Sequence, residues 1–202
     1  MPNASSKAVR WTSPATGIAI LFFAIVGLIS SIALVQSELE VLQDPEANLL
    51  CDVNPLIGCS SSLLSPQAHL LVIPNAAVGL MAFGALAALG AVLTFKGSLP
   101  RLVWWGMSAG VLAGVGFVAF FLHASVAVFR ALCPYCMLTW VAVLALVPII
   151  LGGALASGSF GDRSISSGKT TLKYSWAIAL VLYLIVILVI VVTMSDKIGY
   201  LF

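Results

Sequence analysis

The sequence predicts an all-α integral membrane protein, because of its composition, its apolar stretches and the placement of its charges. Of its 202 residues, 61% are hydrophobic and 8% are charged, whereas a soluble domain carries about 25% charged residues. Five stretches are long enough to cross a bilayer core, which needs about 20 apolar residues per helix. They cover residues 17–35, 70–95, 102–129, 137–156 and 174–194. Each is expected to be helical, since lipid offers no hydrogen bonds to an open backbone.

These stretches divide the chain into a bundle and its attachments. We expect a cytoplasmic tail at 1–16, a four-span bundle at 17–156 with a long outer loop at 36–69, a flexible Gly/Ser-rich linker at 157–173, and a fifth span with a short outer tail at 174–202. A partial helix over 60–74 is expected to fold across the mouth of the bundle. The first apolar stretch is longer than the roughly 7–15 residues of a secretory signal, so it is expected to remain as an anchor.

The basic residues indicate an orientation. Cytoplasmic segments of membrane proteins are enriched in Lys and Arg, and a cytoplasmic amino terminus leaves only Arg130 and Lys197 outside. The basic residues then placed inside are Lys7, Arg10, Lys96, Arg101, Arg163, Lys169 and Lys173. The acidic residues that crowd the outer loop are Glu38, Glu40, Asp44, Glu46 and Asp52. We therefore expect a multi-pass protein of a bacterial cell membrane, with its four cysteines on the oxidising outer face.

The sharpest chemical signal is Cys133-Pro134-Tyr135-Cys136 at the start of the fourth span. The spacing lets two sulfurs join in a small ring, and unpaired backbone N–H groups at a helix start favour a thiolate. Pro134 suits a first helical turn, and Arg130 adds positive potential. At the membrane boundary, Cys136 can meet a lipid-soluble partner. A structural disulfide is an alternative, and so is zinc, but zinc needs two more ligands, and the other cysteines fit that spacing poorly.

A second pair, Cys51 and Cys59, lies in the outer loop. Three turn-forming residues, Asn54, Pro55 and Gly58, stand between the two cysteines, so the segment can curl and bring the thiols together. Taken alone, this pair fits a single disulfide that stiffens an exposed loop equally well. Together with the first pair, it suggests a two-stage exchange in which each step passes through a mixed disulfide.

The motifs follow one another in a specific order. They are the loop pair, Ser65 six residues after Cys59, an Ile-Pro-Asn-x-x-x-Gly stretch at 73–79, and Cys-Pro-Tyr-Cys opening the fourth span. In this order they resemble the bacterial branch of the vitamin K epoxide reductase family, over roughly residues 15–156. The resemblance implies a four-helix bundle around a quinone (menaquinone or ubiquinone), plus an additional span. It also implies that Cys51 exchanges with a thioredoxin-fold partner, Cys59 passes electrons to Cys133, and Cys136 reduces the quinone.

The resemblance also suggests residues for the quinone site. Asn75 would donate a hydrogen bond to a quinone oxygen, or else bond the backbone that Pro74 leaves free. Trp140 replaces the tyrosine that the animal enzymes carry four residues after the last cysteine, which removes a hydroxyl. Ser65 would tune the site or cap a helix. His123, an ionisable residue within the third span, is a candidate proton relay or a partner of a neighbouring helix.

The expected function is a membrane thiol:quinone oxidoreductase that reoxidises a disulfide-forming partner on the outer face. Many bacterial members continue into a fused thioredoxin-like domain, whereas this chain stops at Phe202, so the partner is expected to be a separate polypeptide. Two alternatives remain. An electron carrier that transfers reductant from the cytosol to the outer face would need thiols on an inner segment, and no cysteine lies there. A non-catalytic membrane scaffold or transporter subunit would hold two structural disulfides that tolerate pairwise replacement.

Overall fold

The computed structural model describes residues 13–44, 49, 51–54, 57–63, 65 and 74–198. Most of the predicted cytoplasmic tail lies outside the described residues, as do Glu46, the last part of the outer loop and the end of the outer tail. Eight α-helices occur in the described part of the chain. They are α1 (Pro14–Gln43), α2 (Ser60–Leu63), α3 (Asn75–Thr94), α4 (Arg101–His123), α5 (Pro134–Ala156), α6 (Ile165–Lys173), α7 (Ser175–Thr193) and α8 (Ser195–Ile198).

Five helical segments are long and apolar enough to cross a membrane. They are α1, α3, α4 together with the π-helical turn Ala124–Phe129 that continues it, α5 and α7. No β-strand occurs among the described residues, whose isolated bridges join Ile57 to Asn54 and to Leu132. The predicted all-α membrane fold with five spans is confirmed.

α1 extends beyond its apolar core, which corrects the predicted start of the outer loop. Its 30 residues rise about 45 Å, against about 30 Å for the hydrocarbon core of a bilayer. Residues 36–43, expected to be loop, form its last turns, where Ser37, Glu38 and Val41 are buried. No Gly or Pro interrupts this segment, and the buried side chains share one face. The helix continues past the apolar stretch because packing supports it there.

The segment after α5 is also helical, although its Gly/Ser-rich composition predicts a flexible linker. A 3₁₀ turn at Asp162–Ser164 leads into α6, which packs against α5. A Cβ built on Gly168 would lie only 2.2 Å from the backbone N of Ala156, so glycine lets the two backbones touch. Gly158 and Gly161 have φ angles of 79° and 110°, in the region that glycine adopts readily. The glycines here provide close packing and turns.

Small residues allow α1 and α3 to pack closely in opposite directions. A Cβ on Gly17 would lie 2.5 Å from the backbone N of Thr94, and one on Gly90 would lie 2.8 Å from the backbone of α1. Further along the contact between α1 and α3, which we call the α1–α3 seam, the ring of Phe83 lies over Gly27, 2.3 Å from where a Cβ would be. Helices in lipid associate mainly through such close van der Waals contacts. The seam therefore holds α1 and α3 together.

α5 is the helix around which the others are arranged. It packs against α1, α4, α6 and α7, and its Gly153 leaves room for the buried ring of Trp104, 2.8 Å from where a Cβ would be. α7 lies at the periphery, where little of its surface is buried. The helices α1, α3, α4 and α5 thus form a four-helix bundle to which α7 is added.

Candidate active site

All four cysteines lie in one packed cluster, at the end of the bundle where α1 ends and α5 begins. The buried members of this cysteine cluster are Leu34, Val41, Leu49, Cys51, Cys59, Leu63 and Cys133, with Ala76, Tyr135 and Cys136 packed against them. Cys51 and Cys59 are 4% and 0% exposed. The protein therefore shields these sulfurs from water and holds them among apolar side chains.

Two sulfur contacts arrange the cysteines in series. Cys51 and Cys59 form a disulfide with their Cα atoms 5.8 Å apart. The Cys59 Sγ lies 3.2 Å from the Cys133 Sγ, and Cys133 and Cys136 are free thiols. Thiol–disulfide exchange requires a thiolate to attack a disulfide sulfur directly. Cys133 is therefore in place to exchange with Cys59.

Cys133 is the N-cap residue of α5, and its position favours the thiolate. Its sulfur accepts a hydrogen bond from the Cys136 N–H at 3.4 Å, and Pro134 follows at the first helical position. The pKa of the Cys133 thiol lies below its ordinary value, chiefly because the Cys136 thiol hydrogen-bonds to it; burial and the Asp52 carboxylate act in the opposite direction. The thiolate is the nucleophilic form of cysteine, so Cys133 is activated for exchange.

The Asp52 carboxylate holds the loop that carries the disulfide. Its Oδ1 accepts hydrogen bonds from the N–H groups of Cys59 (2.6 Å) and Ser60 (3.2 Å), and its Oδ2 accepts one from the Ser60 hydroxyl. Burial raises the pKa of this carboxyl, but the hydrogen bonds together outweigh burial and bring the pKa below its ordinary value. Gly58 also donates its N–H to the Leu132 carbonyl at 3.1 Å, which ties the loop to the segment before α5.

Replacing Asp52 by alanine is expected to loosen the loop around Cys59. The change leaves three donors without this acceptor, and each hydrogen bond contributes about 1 kcal/mol. A loss of 1.4 kcal/mol corresponds to a factor of about 10. Amide exchange at Cys59 and Ser60 should therefore become about tenfold faster or more, measured by hydrogen–deuterium exchange with mass spectrometry. Ser60→Ala, which removes only the hydroxyl bond, is the matched control and should have a smaller effect.

The same bonds should depend on pH. Because the folded pKa of Asp52 lies below the ordinary value of 3.8, its stabilisation is complete above that value and is lost as pH falls through the folded pKa. Amide hydrogen exchange of the loop in the wild type, corrected for the intrinsic rate, should rise as the pH falls through the folded pKa of Asp52. In Asp52→Ala the corrected exchange rate should not change with pH. Equal exchange in the two proteins at neutral pH would contradict the role of the carboxylate.

A cavity of about 470 Å³ lies between α1, α3, α4 and α5. Its walls are mainly apolar, with Leu86 and Phe117 among the lining residues, whereas Ser62, Asn75 and Cys136 bring polar groups to the end near the cysteine cluster. Small-molecule sites typically measure about 300–1,000 Å³ and combine apolar walls with a few polar groups. The cavity therefore fits an apolar molecule with a polar head.

Cys136 connects the cysteine cluster to the cavity. It packs against the cluster and also lines the cavity, as does Ser62 of α2. Cys136 thus brings one thiol of the second cysteine pair into the cavity wall.

The sequence matches a family profile described as the Vitamin K epoxide reductase family over residues 18–151. The match runs from α1 through most of α5 and includes all four cysteines. The chain belongs to the vitamin K epoxide reductase family. This family consists in general of membrane oxidoreductases that act between thiols and quinones, typically with thioredoxin-like partners.

In this vitamin K epoxide reductase family member, the predicted quinone contacts fall into two groups. Asn75 and Trp140 line the cavity together with Cys136. Ser65 and His123 are not among the described residues that line it. The Ser65 hydroxyl donates to a carbonyl of α2 at 2.6 Å, and His123 is exposed at the end of α4. The structure therefore brings the first two residues to Cys136 and leaves the other two apart from it.

Arg130, which was expected to add positive potential near the cysteines, is paired with a carboxylate. Its guanidinium forms an ion pair with Asp196 of α8, and its φ of 50° is in the left-handed region. The lowered pKa of Cys133 comes from the hydrogen bond of Cys136 rather than from this charge. Arg130 thus joins the turn before α5 to the chain that follows the fifth span.

Sequence reasoning missed polar residues of the cavity wall. Ser31, Glu38 and Thr139 line the cavity, and Glu38, expected in the polar loop, is only 6% exposed. A signal for Glu38 does exist in the sequence. Leu34, Glu38 and Val41 recur at helical spacing, which continues the buried face of the first span past its apolar stretch.

Proposed function

We propose that this chain is a membrane thiol:quinone oxidoreductase that reoxidises a disulfide-forming partner. The proposal depends on one observation, the series formed by the sulfurs. The Cys59 Sγ lies 3.2 Å from the Cys133 Sγ, and Cys136, next in the series, lines the cavity. One end of this series lies in a loop and the other meets an apolar cavity, which is the arrangement that a relay between a protein thiol and a quinone requires.

The partner supplies the electrons through the loop disulfide. A partner thiolate attacks Cys51 and releases Cys59 as a thiolate, and the second partner thiol then resolves the mixed disulfide, which oxidises the partner and reduces the loop pair. Cys59 next attacks Cys133 in a Cys133–Cys136 disulfide and releases Cys136 as a thiolate. Cys51 attacks Cys59, which restores the loop disulfide and leaves a dithiol at Cys133 and Cys136.

The dithiol supplies two electrons and two protons to the quinone, which becomes a hydroquinone, while Cys133 and Cys136 return to a disulfide. The described state, with Cys51 and Cys59 joined and the other two cysteines free, corresponds to the protein before this step. We assign the quinone to the cavity, with the Asn75 amide as donor to a quinone oxygen and Trp140 in the adjoining wall.

We further propose the cell membrane of a bacterium as the location, with the cysteine cluster on the outer face. The positive-inside rule supports this orientation. Lys96 precedes α4 and Arg101 is its first residue, whereas Arg163 and Lys173 follow α5, so all four lie at the ends of these helices away from the cysteines. A thioredoxin-fold protein on the outer face would be the electron donor. Residues 17–156 would form the catalytic bundle.

The test is quinone reduction by the purified protein in lipid nanodiscs. A dithiol serves as the donor, short-chain ubiquinone and menaquinone analogues serve as acceptors, and Cys136→Ala is the control. Turnover by the wild type that disappears in the variant is the expected result. Cysteine pairs that resist the dithiol, with no turnover on either quinone, would indicate a scaffold or transporter subunit with structural disulfides. Cys133→Ala should keep quinone binding but lose turnover driven by a partner protein.

A further inference from the structure

We propose that Glu38 transfers protons during quinone reduction, an inference that depends on the function proposed above. Glu38 is a carboxyl group in the wall of the cavity assigned to the quinone. Burying a carboxyl group costs free energy, so a buried glutamate in the wall of a cavity is a candidate functional residue. The role follows from where α1 holds this residue, from its being the one carboxyl group among the described residues of the wall, and from the proton balance of the reaction.

α1 places the Glu38 side chain beside the cysteine cluster. Leu34 and Val41, one turn before and one turn after it on the same face, are buried members of that cluster. Glu38 itself is 6% exposed and lines the cavity together with Cys136. The carboxyl therefore lies at the end of the cavity where electrons leave the protein.

The described residues around the cavity include few other ionisable groups. Glu38 is the one Asp, Glu, Lys, Arg or His among the described residues that line the cavity. Of the helices that pack against α1, α2 and α3 contain no ionisable side chain, and α5 contributes Tyr135 and Cys136. Asp52 is exposed in the loop, where it bonds to Cys59 and Ser60. Glu38 is thus the one carboxyl among the described residues that lines the cavity together with Cys136.

The proton balance of the reaction gives this group a task. Formation of the Cys133–Cys136 disulfide from two thiols releases two electrons and two protons, and the quinone takes up both electrons and both protons to become a hydroquinone. As a carboxylate, Glu38 accepts a proton from the Cys136 side. As a carboxylic acid, it then donates that proton to a quinone oxygen and ends the cycle unchanged. A positioned acid–base group of this kind typically accelerates a step by about 10²–10⁴-fold.

The experiment compares Glu38→Gln and Glu38→Asp with the wild type in nanodiscs. Glu40→Gln is the matched control, because Glu40 is on the same helix two residues away but is exposed. Glu38→Gln should lower kcat for quinone reduction about 100-fold, with quinone affinity, measured by tryptophan quenching, within about twofold of the wild type. Glu38→Asp should recover part of kcat. Reduction of the loop disulfide by the dithiol, which needs no quinone, should be unchanged in every variant.

The pH profile gives a second readout. The wild type and Glu40→Gln should share an ionisation in the profile of kcat that Glu38→Gln lacks. A Glu38→Gln variant with wild-type kcat and profile would overturn the inference while the proposed function remains. Loss of quinone affinity or of thermal stability that accounts for the whole decrease would overturn it in favour of a structural role. A wild type that reduces no quinone would overturn the proposed function, and the inference with it.

Discussion

Replacing Cys136 by alanine is expected to stop quinone reduction and to trap a disulfide between Cys59 and Cys133. The change removes the thiol that lines the cavity, so turnover should fall to the uncatalysed background. Cys133 keeps its sulfur 3.2 Å from the Cys59 sulfur. Its thiolate attacks Cys59, the Cys59–Cys133 bond forms, and Cys51 leaves as a thiolate. Without Cys136, no thiol of the second pair can reopen that bond.

An alkylating reagent makes the trapped state measurable, because it caps Cys51 and prevents the reverse attack. Peptide mapping by mass spectrometry should then identify the Cys59–Cys133 peptide as the main disulfide of the Cys136→Ala protein. A double variant, Cys133→Ala with Cys136→Ala, should retain the Cys51–Cys59 disulfide and show no alkylation at Cys51. If the single variant also retained only the original disulfide, the proposed order of the relay would be wrong.

Replacing Gly110 by leucine is expected to block the cavity while the fold is kept. A Cβ on Gly110 meets no atom within 4 Å, and the residue lines the cavity, so the leucine side chain would occupy the space assigned to the quinone. Overpacking of a fitted site costs about 1–3 kcal/mol, and each 1.4 kcal/mol corresponds to a tenfold change in affinity. Quinone affinity should therefore fall by about tenfold or more.

The chain offers a matched control for this change. A Cβ on Gly116 also meets no atom within 4 Å, but Gly116 is not among the described residues that line the cavity. Gly116→Leu, on the same helix, should leave quinone affinity unchanged, measured by quinone titration of tryptophan fluorescence in nanodiscs. Both proteins should gain helix propensity, since glycine is the less favourable residue in a helix. Equal quinone affinities in the two variants would contradict the assigned site.

The spans were predictable because a backbone in lipid has to satisfy its hydrogen bonds within a helix. Charged residues in the connecting segments do not change this requirement. The end of α1 was not predictable from polarity. Residues 36–43 are polar enough to read as loop, although Leu34, Glu38 and Val41 recur at helical spacing. That this face packs into the cysteine cluster is visible only in the tertiary structure. The same holds for α6, where composition alone does not distinguish a flexible Gly168 from one that touches α5.

The cysteines of the candidate site were predictable from their spacing and order, and the cavity wall was predictable only in part. Asn75 and Trp140, two of the predicted quinone contacts, are among the lining residues. For His123, the sequence gives its depth along a helix but not the direction of its side chain. The π-helical turn Ala124–Phe129 lies between His123 and Cys133, and a π-helix has more residues per turn than an α-helix. α-Helical spacing counted back from Cys133 therefore does not give the face of α4 on which His123 lies.

The burial of the loop disulfide has a consequence for the choice of electron donor. With Cys51 at 4% and Cys59 at 0% exposure, a thiol in solution cannot strike either sulfur until the loop has moved. A small dithiol gains no binding energy with which to move the loop, so it should reduce the disulfide only slowly and at high concentration, whereas a protein that binds the loop surface should reduce it faster. Under the proposed function, the loop would thereby favour a protein donor that recognises it over the general thiol pool.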